Sequence, residues 1–306
     1  MTWLVVLFIL VAGAPFVVES QRRRMGNAAR HAAPGEFATL SQGKTHYKWY
    51  GPETGPVILC VHGLTTPSFV WSSIATALAE DGYRVLTYDL YGRGFSDRPA
   101  GPQDSAFFLR QIGDLLRDQN VTEPVTLIGY SMGGSISTAL AEERPHKVKR
   151  VVLIAPGGVK VNGMDLLQTL IAMPFVGLWT ILGVYPFLLK HGVRAEANDR
   201  SSVPNIEAMQ LAELNWQGFL PSVRASLRDL LARNQEALHK NLNAHDMPVL
   251  AIWGEKDTLI PLEARDILMQ WNPEVMHSTI AGAGHGVTYT DTDQVLDVLR
   301  PWLAAN

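Results

Sequence analysis

The sequence holds a single cysteine, Cys60, in 306 residues. No intramolecular disulfide can therefore form, and Cys60, inside V-I-L-C-V, reads as a small buried apolar residue. Net charge is also scarce, at −3, with no basic stripe interleaved with aromatics, which excludes nucleic acid as an expected partner. No histidine, cysteine or aspartate cluster has metal-ligand spacing, so no metal is expected. Complete nucleotide fingerprints are missing too. The stretch from Ala38 to Gly43-Lys44-Thr45 has alanine for the first glycine of a phosphate loop and strand-like residues after it, and G-R-G-F-S-D lacks the third glycine of a dinucleotide site. No cofactor is expected. Internal repeats and low-complexity tracts are absent.

Charge is missing altogether from the first eighteen residues, M-T-W-L-V-V-L-F-I-L-V-A-G-A-P-F-V-V. At about 1.5 Å per residue this run reaches roughly 27 Å, close to a bilayer core of about 30 Å. A signal peptide has its basic residues before the apolar run. Here Arg22, Arg23, Arg24 and Arg30 follow it, and Pro15 directly after Ala12-x-Ala14 disfavours cleavage. Residues 1–20 are expected to be a membrane anchor, with residues 3–18 in the bilayer and the rest on the cytoplasmic side by the positive-inside rule. The alternative is an atypical signal peptide and a soluble exported protein. Only then does the sequon Asn120-Val121-Thr122 matter. Residues 21–35, basic and small, read as a linker able to touch anionic head groups.

Beyond it, strand and helix patterns alternate. E-F-A-T-L-S-Q-G-K-T-H-Y-K-W-Y-G predicts two strands joined near Gln42-Gly43. Strands follow at 57–61, 84–89, the V-T-L-I-G-Y run, 150–155, 248–254 and 274–280. Helical spacing covers Trp71, Ile74 and Leu78, then 107–117, the stretch from Ser131 to about Arg144-Pro145, and a last helix capped near Asp291 or Thr292. Several strands are uniformly apolar, which demands a mostly parallel sheet covered on both faces. The stretch 158–245 breaks the alternation; rich in leucine, methionine and tryptophan, it is expected to be a helical cap inserted between 36–157 and 246–306. Its Leu167, Leu170, Ile171, Met173, Phe175, Leu178, Trp179 and Leu182 read mostly as packing residues.

One hydroxyl stands at a sharp bend. Gly129-Tyr130-Ser131-Met132-Gly133 is G-x-S-x-G, where a strand turns into a helix and glycine two residues either side lets the bend close. A serine needs a base to become a nucleophile. Of nine histidines, His285, in the glycine-rich loop A-G-A-G-H-G after the last strand, is the candidate; His277 lies within a strand and reads as structural. Asp257, in W-G-E-K-D-T, is the candidate carboxylate, with Glu255 as competitor. An oxyanion would need two donors. The amide of Met132 is one, and the amide of Leu64, in the loop His62-Gly63-Leu64, is assigned as the other. His62 reads as a loop brace.

Together V-H-G-L, D-L-Y-G-R-G-F-S-D-R-P, G-Y-S-M-G-G, W-G-E-K-D and G-A-G-H resemble the α/β-hydrolase superfamily, in order over roughly residues 44–303. The resemblance implies the α/β-hydrolase fold, a mostly parallel central sheet with helices on both faces and a helical cap, and an order Ser131, Asp257, His285 for nucleophile, acid and base. It also implies that Asp89, Arg93 and Ser96 are structural markers of the turn after their strand. With the apolar N-terminus it is similar to membrane-associated monoacylglycerol-lipase-like serine hydrolases, which implies a lipophilic ester substrate. Carbon–carbon bond hydrolases of ring-fission products share S-M-G-G, and a non-catalytic binding protein on the same fold is the third alternative.

Overall fold

The computed structural model describes residues 2–196 and 200–305. Eight strands form one sheet: β1 (Glu36–Leu40), β2 (Gly43–Tyr50), β3 (Val57–Val61), β4 (Arg84–Tyr88), β5 (Val125–Tyr130), β6 (Val148–Ile154), β7 (Val249–Gly254) and β8 (Met276–Ile280). Their order is β1-β2-β4-β3-β5-β6-β7-β8, antiparallel where β2 meets β1 and β4 and parallel elsewhere. The fold is thus the expected α/β-hydrolase arrangement. From β3 the chain moves one way to β4, then returns to lay β5 on the other side. The carboxyl ends of β3 and β5 therefore flank a topological switch point, where open α/β sheets bind ligands.

Every residue of β5 and β7 is buried, as uniformly apolar strands require. Alternate residues feed opposite faces. Leu59, Val61, Leu127 and Trp253 join one core layer, and Ile58, Cys60, Ile128 and Ile252 the other. The helices, in chain order, are α1 (Thr2–Ser20), α2 (Asn27–Arg30), α3 (Ser72–Glu80), α4 (Ser105–Asp118), α5 (Met132–Glu143), α6 (Asp165–Ala172), α7 (Pro174–Gly183), α8 (Tyr185–Ala195), α9 (Ile206–Ala212), α10 (Phe219–Asp229), α11 (Glu236–Ala244), α12 (Leu262–Trp271), α13 (Val287–Thr290) and α14 (Thr292–Ala305). Asp104 caps α4 by accepting from the Phe107 amide at 3.0 Å, and α5 stops two residues before Pro145.

Helices α6–α10 lie between β6 and β7; α6, α7, α8 and α10 share a third apolar cluster, built on Ile181, Leu182, Phe219, Leu220, Val223 and Leu227, while Ile206 of α9 joins a layer of the sheet's core. Proline at the start of α7 and α8 breaks this segment into short pieces. Helix α11, grouped by sequence with the inserted segment 158–245, instead packs on α5 and α12. Leu242 enters the sheet's own core layer, so α11 is part of the sheet's covering. The sequence reading also passed over α12, whose Ala264 and Leu268 are buried one turn apart.

The basic stretch 21–35, read as a linker, is docked along the body. Arg22 pairs with Glu19 at 2.9 Å, and Arg23 lies over the Trp216 ring while its backbone bonds Asn215 and Gln217. Arg24 donates to Gln217 at 3.0 Å, and Arg30 pairs with Asp97 and donates to the Phe95 carbonyl. Glu19 accepts from the Gly218 amide at 2.6 Å.

Candidate active site

Ser131 joins β5 to α5 with φ 52° and ψ −118°. A non-glycine residue held there costs about 1–3 kcal/mol and persists only where its surroundings enforce it. Here the Ser131 amide donates to the Ile154 carbonyl, and its own carbonyl accepts from the Gly134 and Gly157 amides, all at 2.9 Å. The two motif glycines are required by close approach. A Cβ at Gly129 would lie 2.4 Å from the Gly133 carbonyl oxygen, and one at Gly133 only 2.0 Å from that of Val61.

Two loops bring the other side chains to this hydroxyl. After β7, both oxygens of the Asp257 carboxylate are engaged. One accepts from the amides of Leu259 at 2.9 Å and Ile260 at 2.8 Å, and the other stands 2.8 Å from His285 Nδ1. The Asp257 side chain is 0% exposed. His285 Nε2 stands 3.2 Å from Ser131 Oγ. With the Nδ1 proton directed at the carboxylate, the Nε2 lone pair faces the serine. Tyr130 clamps the histidine loop: its hydroxyl donates to the His285 carbonyl at 3.0 Å, and its ring lies 5.3 Å from the imidazole. Glu255 faces away and accepts from the Gly282 amide at 2.7 Å. His277 stacks on Trp253 and accepts from its indole at 3.0 Å.

The loop carrying Leu64 is braced against the same serine. A Cβ at Gly63 would lie 3.3 Å from that of Ser131. His62 Nε2 accepts from the Leu90 amide at 2.8 Å, which leaves the proton on Nδ1 for the Gly63 carbonyl, also at 2.8 Å. Burial pulls His62 down to about 4, so it is neutral at ordinary pH. Arg93, fully buried, donates to the Leu64 carbonyl at 3.0 Å and reaches Gln103 and, on α10, Ser226. Met132 opens α5, so its amide belongs to the helix's positive end at the serine.

The turn after β4 supports this loop. Asp89 accepts from the amides of Ser68 and Phe95, each at 2.9 Å, and stands 2.8 Å from His46 Nδ1. Burial opposes ionisation of Asp89, but the hydrogen bond and charge of His46 outweigh it and hold the carboxyl well below its usual range. Burial likewise opposes protonation of His46, and Asp89 outweighs it and raises the imidazole. Ser96 Oγ donates to the Asp89 carbonyl at 2.6 Å. Lys44 and Thr45, from the loose phosphate-loop imitation, lie on β2; the Lys44 amide donates to Asp97 and Thr45 accepts from Gln111.

Sequence reasoning missed His46, Tyr130 and the Arg93–Leu64 contact. Each partner is distant along the chain, and no local motif announces it. Among the described residues, no group of three or more histidine, cysteine, aspartate or glutamate side chains is gathered for a metal ion. A cavity of about 470 Å³ adjoins the Leu64 loop at Pro67–Phe69 and is lined further by Phe95, Met209 and Trp216. Another of about 240 Å³ lies beside Glu196 and Tyr289. Neither is lined by Ser131, which is itself partly exposed.

The chain is similar to 2-hydroxymuconate semialdehyde hydrolase of Pseudomonas putida, 28% identical over 237 residues that span 72% of this chain and 77% of that protein. It is 28% identical over 265 residues to the sn-1-specific diacylglycerol lipase of Mus musculus, covering 83% of each. A solved bacterial membrane phospholipase A shares the fold at a TM-score of 0.72 and 17% identity, over 99% of this chain and 96% of that one. The family model of the alpha/beta hydrolase fold matches residues 56–292, from β3 to the start of α14. A sheet with its switch point between β3 and β5, a strained serine at that point and this match agree: the chain is a hydrolase of the alpha/beta hydrolase fold family.

Proposed function

We propose that the protein is a serine hydrolase of lipophilic carboxylic esters, acting through an acyl-enzyme intermediate. The observation that carries this reading is the hydrogen-bonded chain from Ser131 through His285 to Asp257. Ser131 Oγ attacks the ester carbonyl carbon as His285 Nε2 takes its proton. The resulting imidazolium donates through Nδ1 to Asp257, whose other oxygen stays tied to the Leu259 and Ile260 amides. The amides of Leu64 and Met132 receive the oxyanion. Collapse expels the alcohol, which leaves with the proton from Nε2. Water then attacks the acyl-serine by the same route, releasing the acid and restoring the serine.

Lipophilicity of the substrate rests on the apolar helix α1, the leucine-rich helices inserted before β7, and kinship with a diacylglycerol lipase. α1, 19 residues with a mean hydropathy of 2.2, is read as a membrane anchor with the catalytic body on the cytoplasmic side. Turnover of p-nitrophenyl esters of graded chain length tests the activity. Activity is expected with medium or long acyl chains, with a loss of at least about 10³-fold in Ser131→Ala and no fluorophosphonate labelling of that variant. No turnover at any chain length overturns the reading. The Pseudomonas putida relative favours a second reading, hydrolysis of a carbon–carbon bond in a ring-fission product. Bleaching of such a yellow compound, with the esters left intact, would select it. Release of the full chain into a carbonate wash would reject the anchor.

A further inference from the structure

Residues 166–189 contain no charged side chain, and the fold leaves many of their large apolar side chains exposed. On α6–α8, Leu166 is 73% exposed, Phe175 85%, Phe187 71% and Leu188 52%, with Met173 and Val176 exposed beside them. A surface of this kind calls for an apolar partner. Helices α7 and α8 run into one another through a bend of 42°, and the exposed Lys190, His191 and Arg194 follow the apolar run.

The patch is continuous with α1. Helix α1 packs on α7; the Trp179 indole donates to the Val11 carbonyl at 3.3 Å, and Pro15 lies against Gly183. These contacts are not at the tip of α1. Val11 and Pro15 precede Ser20, the end of α1, by about 13 Å and 7 Å of helix at 1.5 Å per residue. Arg23 and Arg24 are exposed just beyond that end, which sets it at the head groups. A helix that spans a core of about 30 Å thus carries α7 below the head groups with it.

We propose that α6–α8 are immersed in the bilayer beside α1, so that the lipid acyl chains of one leaflet cover Leu166, Phe175, Phe187 and Leu188. The inference rests on α1 being a membrane anchor and extends the membrane contact to the inserted helices. Lys190, Arg194, Arg23 and Arg24 then meet anionic head groups at the rim. The cluster of these helices packs against Leu64 in the loop after β3, so they join the serine's surroundings to the place where a lipophilic ester is dissolved, and such a substrate arrives sideways from the leaflet.

The test uses the full chain in phosphatidylcholine–phosphatidylglycerol vesicles, with an NBD probe on Phe8→Cys, Phe175→Cys, Phe187→Cys or Met269→Cys. Cys60 is buried, so the probe reports the introduced thiol; Met269, exposed on α12, is the water-facing control. Probes at 8, 175 and 187 are expected to be blue-shifted and quenched at least twofold by doxyl-labelled lipids, and the probe at 269 to be unaffected. If 175 and 187 behave like 269 while 8 is quenched, α1 enters the bilayer alone and the proposal is wrong. If 8 is not quenched either, the anchor reading falls as well. Blue-shifted probes at 175 and 187 that doxyl lipids do not quench, with energy transfer between labelled molecules, assign the patch to a second copy and also overturn it.

Discussion

Gly133 has no room for a methyl group: the atom would sit 2.0 Å from the Val61 carbonyl oxygen, on backbone that the sheet holds fixed. Gly133→Ala is therefore expected to cost at least about 3 kcal/mol, the upper range for overpacking, read as a fall in the urea midpoint. Gly282 is the contrast. It has φ +75° and nothing within 4 Å of where a methyl group would sit, so Gly282→Ala should cost only about 1 kcal/mol, through the backbone alone. The difference explains what could be read in advance. The spacing of Gly129, Ser131 and Gly133 is local, and sterics alone dictate it. The grip of Tyr130 on the His285 carbonyl joins residues 155 positions apart, and nothing in either neighbourhood announces the other.

At the scale of elements, the loop 62–64 is held in place from outside by a residue of the next turn. Arg93 donates to the Leu64 carbonyl while also tying Gln103 and Ser226. Lysine keeps the charge but not the planar fork. Arg93→Lys is expected to lower kcat for an ester by roughly tenfold with little change in KM, and to lower stability by about 2 kcal/mol, checked by steady-state kinetics beside thermal denaturation. A pH effect belongs to α11. His239 is fully buried there against Trp271, and burial lowers it to about 4. Between about pH 4 and 6.5 the unfolded chain binds this proton and the folded chain does not, so stability falls as pH falls through that window. His239→Leu escapes that loss and should gain about 2 kcal/mol on the parent between pH 7 and pH 5, measured by urea titration at both. The fate of α11 also shows where sequence stops. E-A-L-H-K-N-L-N-A is plainly a helix, but its period is the same whether it covers the sheet or the strand ends, and only its contact with α5 and α12 decides.

In the molecule as a whole, a mostly parallel sheet was legible and its strand order was not. Loops bearing Leu64, Ser131, Asp257 and His285 follow β3, β5, β7 and β8, but an apolar run does not say which strand lies beside it, and β6 comes between β5 and β7. The docking of residues 21–35 was not legible, because arginines beside an apolar helix suit head groups and protein partners equally; here Arg22 and Arg30 are taken by Glu19 and Asp97. Cys60 offers a final consequence. It lies on β3 between β4 and β5, with 0% exposure, and burial raises its thiol far above the ordinary range. A thiol reagent can reach it only when the middle of the sheet comes apart. The rate at which the unaltered protein consumes such a reagent is thus a built-in clock for opening of the core.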